Sequence, residues 1–235
     1  MTAPYLQKRG FSPALRRRYI DNKWLESFGR GAYKRPGDPV DWLGGIYALQ
    51  TQLDMTIHPG GKTALSLKGS THFVAAGPGD VFLFGKRGER LPRWFEDYHW
   101  PEKIIHKPIT LFDGNLSACL TNYKHKELDI KMAGRELAAF EMLYHVPAKQ
   151  GFMEAFSIME NLVTLRPKVV QNLLEMCRSV KVKRLFLFLA QKADLPWFTK
   201  LNTANLDLGK GKRMIVKDGA LDKTYEITVP RELAG

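Results

Sequence analysis

The sequence has few residues of the types that build disulfide and metal sites. It contains two cysteines, Cys119 and Cys177, far apart and with no CxxC pair. They provide neither a disulfide framework nor a cysteine zinc site. Its six histidines include no HExxH motif and no pair four residues apart, so no histidine metal site is expected. The sequence therefore predicts no metal and no cofactor.

Long hydrophobic runs are also lacking. The longest uninterrupted apolar run, residues 185–190, has six residues, whereas a helix that crosses a bilayer needs about 20. The first ten residues have no apolar stretch of a secretory signal. We therefore expect a cytoplasmic protein with no membrane partner. The 235 residues, 44% of them apolar, suffice for one large globular domain or two ordinary ones of about 100–200 residues.

Acidic residues are scarce at the front of the chain. The net charge is +12, from 36 Lys and Arg against 24 Asp and Glu. Residues 1–95 hold 15 basic and 7 acidic side chains, residues 96–235 hold 21 and 17, and residues 1–35 alone hold nine and two. A basic block of this kind favours a polyanionic partner, because each Lys or Arg set against a phosphate releases condensed counterions. The alternative is a solvated basic face with nothing bound.

The start of the chain has the spacing of a helix-turn-helix. Thr2 predicts an N-cap for a helix over residues 3–8, and a glycine supplies the turn. Ser12 followed by Pro13 predicts the start of a second helix, which extends to about Asn22. A turn of three or four residues, often with glycine, sets two such helices at a steep angle.

A helical wheel divides the second helix into a core face and a basic face. The predicted core face carries Phe11, Leu15, Tyr19 and Asn22. The predicted basic face carries Ser12, Pro13, Arg16, Arg17, Ile20 and Lys23. We expect Arg16, Arg17 and Lys23 to contact DNA, with Ser12 offering its hydroxyl to a phosphate at the helix N-terminus. An amphipathic surface helix with solvated arginines is the alternative.

A basic hairpin follows directly. Residues 24–27 and 32–35 are predicted strands around a turn in which two glycines flank Arg30. Arg30 at the tip is expected to reach the DNA backbone or the minor groove. Lys34 and Arg35, at the end of the second strand, complete the predicted set of DNA contacts. A helix followed by an arginine-tipped hairpin is the order of a winged helix-turn-helix.

A third helix is predicted behind the hairpin as scaffold. Asp38 is expected to cap it, with Asp41 as the acid at its third position, and the helix extends to Leu53. The predicted winged-helix DNA-binding domain spans residues 1–95.

A mixed α/β domain is predicted over residues 101–235. The aromatic, proline-bounded segment from Trp94 to Pro101 is interpreted as the junction. Strands are expected at residues 104–112, 116–120, 127–132, 214–216 and 225–229. Four helices are expected, starting at residues 135, 152, 167 and 182. The predicted fold class is therefore α+β, a winged helix-turn-helix followed by a mixed α/β domain.

Several stretches of the chain together resemble one family. They are residues 24–33 (WLESFGRGAY), 37–42 (GDPVDW), 47–50 (YALQ), 60–65 (GGKTAL), 82–85 (FLFG), 208–213 (LGKGKR) and 225–230 (YEITVP). In this order, over most of the chain, they resemble the AbiEi-type antitoxins of type IV toxin–antitoxin systems. Members of that family usually have a further helix ahead of the first one predicted here.

The resemblance implies a DNA-binding regulator that has no catalytic activity of its own. Its winged helix would bind inverted repeats ahead of its own operon and repress it. The implied functional partner is a nucleotidyltransferase toxin, whose effect the antitoxin cancels without a stable complex. That activity is usually placed in the carboxy-terminal domain.

Two other functions stay open. An ordinary winged-helix repressor with a ligand-binding or dimerisation domain would have the same basic front. The third hypothesis is a metal-dependent nuclease, in which Asp113, Asp129 and Lys131 would bind Mg²⁺ and activate water. The alternation over residues 127–132 equally fits a strand whose charged side chains face solvent. The string GGKT is no phosphate loop, because Thr56 stands where the first glycine would be required.

Overall fold

The computed structural model describes residues 1–69, 79–108 and 110–234. Over these ranges the chain forms nine α-helices and ten short strands. The helices are α1 (Ala3–Lys8), α2 (Pro13–Asp21), α3 (Trp42–Gln52), α4 (Gly61–Leu67), α5 (Arg93–Glu96), α6 (Arg135–Tyr144), α7 (Phe152–Glu160), α8 (Pro167–Met176) and α9 (Val180–Lys192). The strands are β1 (Glu26–Gly29), β2 (Ala32–Lys34), β3 (His58–Pro59), β4 (Asp80–Gly85), β5 (Lys103–Pro108), β6 (Leu120–His125), β7 (Leu128–Ala133), β8 (Arg213–Met214), β9 (Ala220–Asp222) and β10 (Ile227–Val229). None of the helices in these ranges has the length and apolar character to cross a membrane.

The chain divides into two compact units, each built from segments that are not contiguous in sequence. The first unit comprises Met1–His58, Gly77–Ile109 and Asn122–Met132, and the second comprises Pro59–Ala76, Thr110–Thr121 and Ala133–Gly235. Helices and strands occur in both units, which confirms the predicted mixed α and β fold. The predicted domain boundary between residues 95 and 101 stays a prediction.

The amino-terminal part of the first unit is compatible with a winged helix-turn-helix. Thr2 Oγ1 accepts the Tyr5 amide at 3.4 Å, and Ser12 Oγ accepts the Leu15 amide at 3.2 Å, so both predicted N-caps are confirmed. β1 and β2 form an antiparallel hairpin, and the backbone of Thr2 pairs with Ala32 on β2. The chain order is therefore an edge segment, two helices and a hairpin.

The core of the first unit lies between α3 and a cluster of aromatic rings. α3 buries Trp42, Leu43, Ile46 and Leu49. The aromatic cluster comprises Phe28, Trp94, Phe95, Tyr98 and Trp100. At Gly45 on α3, a Cβ would lie 2.6 Å from Cε2 of Phe95. Only glycine allows the helix to approach the cluster this closely.

The N-cap of α3 is Asp41, so the predicted cap at Asp38 is wrong. Asp41 Oδ1 accepts the Gly44 amide at 2.9 Å. Its Oδ2 accepts from His125 Nε2 at 2.7 Å and from Lys126 Nζ at 3.2 Å, which tie the β6–β7 hairpin to the helix end. Burial raises the pKa of Asp41, but these hydrogen bonds outweigh it and hold the pKa below its ordinary value. The later aspartate is preferred because it has partners in the tertiary structure.

A three-stranded sheet has the order β3-β4-β5. β4 and β5 are parallel, in register from Asp80 opposite Lys103 to Gly85 opposite Pro108. Their buried side chains, Phe82, Phe84 and Ile105, form one hydrophobic cluster.

The core of the second unit lies between α6 and α9. Residues 136–143 of α6 and 182–190 of α9 are buried. The ring of Phe140 on α6 stacks on that of Phe186 on α9, with centroids 4.2 Å apart. α7 and α8 pack against this pair. The four helices predicted for this region are confirmed, with α9 starting two residues early at Val180.

The strands of the second half differ from the prediction in number and in bounds. In place of the predicted strands 104–112 and 214–216 the structure has the shorter β5 and β8, and β9 lies where no strand was predicted. The strand predicted over residues 116–120 is displaced: a 3₁₀ turn occupies Ser117–Cys119, and β6 begins only at Leu120. The Asn115 side chain stabilises this turn, because it accepts both the amide and the hydroxyl of Ser117. The last predicted strand begins two residues late, because Glu226 has φ of 51°. The resulting β10 pairs in parallel with β8 and antiparallel with β9, which the sequence analysis missed.

Candidate nucleic-acid interface

The side of α2 that faces the core differs in part from the one that the helical wheel predicts: Phe11, Leu15 and Tyr19 are half-buried, but Arg16 is the most buried residue of the helix. Arg16 is only 8% exposed, and its Nη1 donates to Ala3 O at 3.1 Å and to Phe11 O at 3.2 Å. Ile20 is half-buried and Asn22 is exposed. The predicted placing of Arg16 and Ile20 on the outer face, and of Asn22 on the core face, is therefore wrong. Two backbone carbonyls hold the guanidinium inward, because each needs a donor that the five N–H groups of arginine supply.

The exposed side of α2 carries Ser12, Arg17 and Arg18. The Arg17 side chain is 79% exposed, and its Nε lies 3.2 Å from Asp21 Oδ1. Exposed pairs of this kind contribute about 0.2–1 kcal/mol, so a stronger anion can displace the aspartate. Ser12 Oγ accepts the Leu15 amide while its hydroxyl hydrogen stays available to donate. Arg18 was not among the predicted contacts, although it is also exposed.

The end of α2 presents Lys23 and Trp24. Lys23 is exposed and has φ of 58°, the left-handed conformation that turns the chain from the helix into β1. Trp24 is 64% exposed, and its ring packs edge-on against Tyr19 with centroids 5.1 Å apart. Tyr19 packs in the same way against Phe11 at 5.6 Å. Strand patterning gave no signal that Trp24 would be exposed, and it is a candidate contact that the sequence analysis missed.

The hairpin presents Arg30 at its tip. Arg30 is exposed, and its neighbours Gly29 and Gly31 have φ of 138° and 88°. A Cβ at Gly29 would lie 3.1 Å from the Cα and Cβ of Trp94. The positive φ values confirm the glycine turn predicted from the sequence. The close contact of Gly29 with Trp94 is a second reason for glycine, which the sequence did not show.

Lys34 and Arg35 at the end of the hairpin have different surroundings. Lys34 is half-buried, with Nζ 3.6 Å from Glu26 Oε1 and donating to Asp38 O at 3.3 Å. Arg35 is exposed. We define the front basic set as the exposed cations of residues 13–35, from the start of α2 to the end of the hairpin. Its members are Arg17, Arg18, Lys23, Arg30 and Arg35.

The residues considered for a nuclease site have solvent-facing or ion-paired positions. Asp129 and Lys131 are exposed on β7 while Ile130 between them is buried, which confirms the charged-out alternation. The Asp113 side chain is 72% exposed and lies 3.5 Å from Arg178 Nη1. In the part of the chain that the structure describes, no group of three or more His, Cys, Asp or Glu side chains is placed to hold a metal ion.

Two family models match the chain. A model described as "Transcriptional regulator, AbiEi antitoxin N-terminal domain" matches residues 1–76. A second, described as "Transcriptional regulator, AbiEi antitoxin, Type IV TA system", matches residues 79–230. The chain belongs to the AbiEi antitoxin family. The resemblance that the sequence motifs carried is thereby confirmed.

A solved structure shares the fold of this AbiEi chain. The crystal structure of the RV2827C protein from Mycobacterium tuberculosis is 16% identical in sequence and gives a TM-score of 0.58, over 97% of this chain and 85% of that one. At this identity the likeness shows the fold alone. No curated protein matches the sequence. The AbiEi family consists of transcriptional regulators that are antitoxins of type IV systems, which confirms the predicted class of function.

Proposed function

We propose that this AbiEi protein is a cytoplasmic, operator-binding antitoxin that acts by binding and not by catalysis. It binds double-stranded DNA at inverted repeats ahead of its own operon and so represses transcription. It also counteracts a nucleotidyltransferase toxin of the same operon, without a stable complex between the two proteins. The observation that best supports DNA binding is the exposure of the front basic set on a helix and a hairpin in winged-helix order.

In this proposal α2 is the recognition helix and lies in the major groove. Arg17 and Arg18, on its exposed side, contact base edges or phosphates. An arginine that pairs in bidentate fashion with guanine contributes about 1–3 kcal/mol of discrimination. Ser12 donates its hydroxyl to a phosphate at the helix N-terminus, and Lys23 contacts a phosphate at the other end. Arg16 acts indirectly, because its bonds to the carbonyls of residues 3 and 11 fix α1 against α2.

The hairpin forms the wing in this proposal. Arg30 reaches the phosphate backbone or a narrow minor groove, whose negative potential attracts arginine. Arg35 adds a second cation, whereas Lys34 contributes less because Glu26 already accompanies it. Trp24 lies between α2 and β1 and offers an indole N–H to a phosphate and its ring to a deoxyribose.

Toxin neutralisation is proposed for residues 101–235. The basic excess lies in the front of the chain, whereas residues 96–235 hold 21 basic and 17 acidic side chains. A segment with nearly equal numbers of basic and acidic side chains suits a role other than general DNA binding. Coexpression of the chain with the toxin gene, each under a promoter unrelated to the operon, tests this role, because a plain repressor would then leave the toxin lethal.

A pair of matched variants tests DNA binding. The first carries Arg17→Gln, Lys23→Gln and Arg30→Gln. The control carries Lys86→Gln, Arg87→Gln and Lys103→Gln, three exposed cations of the same unit. Fluorescence anisotropy with the upstream DNA of the operon, over a range of salt concentrations, gives the slope of log K against log salt. We expect the first variant to lower the slope by about 2.7, at 0.9 for each phosphate contact, and the control to keep it. Equal slopes for the two variants would refute binding through α2 and the hairpin.

Trp24 provides an independent optical test. The other four tryptophans, Trp42, Trp94, Trp100 and Trp197, are at most 9% exposed. Acrylamide quenching of the native protein therefore reports on Trp24, and Trp24→Phe should remove the quenchable component. Operator DNA should protect Trp24 from acrylamide. Tight DNA binding with unchanged quenching would place the interface elsewhere.

A further inference from the structure

The proposed DNA interface leaves one basic motif of the sequence without a role. Residues 208–213 (LGKGKR), here named the basic loop, lie in the second unit. Lys210, Lys212 and Arg213 in this loop are exposed. No Asp or Glu side chain in the described part of the chain forms a salt bridge with any of the three.

A buried arginine holds the basic loop in one conformation. Arg184 on α9 is 2% exposed. Its Nε donates to Leu208 O at 2.7 Å, its Nη1 to Gly211 O at 2.7 Å, and its Nη2 to Gly209 O at 3.1 Å. Glu226 completes the shell, through its carbonyl and its Oε2, each at 3.3 Å. Burying a cation costs free energy unless the cation is paired and hydrogen-bonded. Here the inward-facing carbonyls of three loop residues offset the cost of burying the Arg184 guanidinium.

The glycines of the loop complete this constraint. Gly209 and Gly211 have φ of 65° and 77°, and Lys210 between them has no positive φ. A Cβ at Gly209 would lie 2.9 Å from a methyl group of Val180. Among the described residues, the amides of Lys210, Gly211 and Lys212 have no hydrogen-bond acceptor. Successive amides in a backbone of alternating φ form a concavity that binds anions.

We propose that the basic loop is a second nucleic-acid site, which binds the phosphodiester backbone of a nucleic-acid strand. The three successive amides suit one phosphate, and three cations within four residues suit a chain of phosphates better than a single one. Met214, which follows the loop directly, is 76% exposed and offers an apolar surface to a sugar or base. A rigid loop loses little entropy on binding, because Arg184 has already fixed it.

Matched variants again test the site. The loop variant carries Lys210→Gln, Lys212→Gln and Arg213→Gln, and its control carries Lys168→Gln, Lys192→Gln and Lys200→Gln, exposed cations of the same unit. Both are made in the full chain that already carries Arg17→Gln, Lys23→Gln and Arg30→Gln, which is called the parent. Because the proposed DNA interface is already weakened in the parent, any further loss of binding in the loop variant is due to the loop. The probes are fluorescein-labelled oligouridylate and oligothymidylate of equal length.

The loop variant should bind both strands at least about tenfold more weakly, with a salt slope lower by about 2, at 0.7 for each single-strand phosphate. The control should bind like its parent. Equal binding by the loop variant and the control would overturn the proposal.

Amide NMR shifts test the backbone contact directly and do not depend on the charged side chains. Titration of oligouridylate into the parent chain should move the resonances of Lys210, Gly211 and Lys212 more than those of the control lysines. ATP should move them only at much higher concentration. If ATP binds as tightly as the strand, the site takes a mononucleotide and the strand assignment is wrong, and if none of the three amides moves, the loop is no phosphate site.

Discussion

The neighbouring arginines Arg16 and Arg17 allow a direct test of the difference between a structural cation and a binding cation. Arg16 is 8% exposed and donates to two backbone carbonyls, whereas the Arg17 side chain is 79% exposed. We predict that Arg16→Ala destabilises the fold and that Arg17→Ala weakens DNA binding while changing stability by at most about 1 kcal/mol, the value of its exposed pair with Asp21. The two substitutions remove the same charge from the same helix.

The magnitude for Arg16 follows from its two hydrogen bonds. A hydrogen bond to a charged group contributes about 1.5–3 kcal/mol, so two give an upper range of about 3–6 kcal/mol. Ala3 and Phe11, whose carbonyls accept them, are only half-buried, so water reaches those carbonyls once the side chain is gone. We therefore expect Arg16→Ala to lower the free energy of unfolding by about 3 kcal/mol, the low end of that range.

Urea unfolding followed by circular dichroism measures the stability of both variants, and anisotropy with operator DNA measures their salt slopes. Arg16→Ala should unfold at lower urea, and its folded fraction should keep the native salt slope. Arg17→Ala should stay close to the native urea midpoint, within about 1 kcal/mol of stability, and lower the slope by about one. A stable Arg16→Ala protein with a reduced slope would refute the structural role that we assign to Arg16.

Three other predictions concern the wing and the two cores. Arg30→Ala should weaken operator and scrambled DNA alike and lower the salt slope by about one, and an unchanged slope would show that the hairpin does not touch DNA. Burial raises the pKa of Glu136, but its hydrogen bonds with Arg166 at 2.8–3.0 Å outweigh this and hold the pKa below its ordinary value. The stability that this pair contributes is complete above the unfolded pKa of about 4.3 and is lost as pH falls through the lower folded pKa. Glu136→Gln should lower the free energy of unfolding by about 1–2 kcal/mol at pH 7, a value reduced for solvent screening because Arg166 is 61% exposed. If the urea midpoints of this variant follow the native curve at every pH, the prediction is wrong. Gly45→Ala should cost about 1–3 kcal/mol in urea unfolding through overpacking against Phe95, and a native midpoint would show that this ring yields freely.

Local features of the fold were predictable from the sequence. The caps at Thr2 and Ser12 are made by a side chain and an amide three residues later, so the signal lies within one turn of helix. The hairpin around Arg30 was predictable for the same reason, because the flanking glycines supply the positive φ that the turn needs.

Features that depend on distant partners were not predictable. Asp38 and Asp41 both suit an N-cap, and the choice between them is settled by His125 and Lys126, more than 80 residues away in sequence. A helical wheel drawn at 100° per residue uses only the residues of the helix itself, so it does not include the carbonyls that face Arg16. The wheel assigns a charged residue to solvent by its type alone.

In the first unit, segments that are far apart in sequence pack together, which a pass along the sequence in chain order does not predict. Gln50 on α3 donates to Lys131 O at 2.7 Å and accepts the Lys131 amide at 2.9 Å, so β7 is bound to a helix far earlier in the chain. Ile130 and Met132 on β7 are fully buried. Deletion of residues 101–235 would remove these buried side chains, which is why substitutions in the full chain are the better test of DNA binding.

Net charge alone overstates how much of the basic excess is available to a partner. Arg16 and Arg184 are buried and direct their donors at backbone carbonyls, and Lys181 Nζ donates to Tyr144 O and Val146 O at 2.7 and 2.6 Å. These three cations stabilise the fold by joining helices and loops, so they are not available to a nucleic acid. Counterion release counts only the cations that reach phosphates, so the salt slope of binding should reflect the exposed residues of α2, the hairpin and the basic loop, and not the net charge of +12.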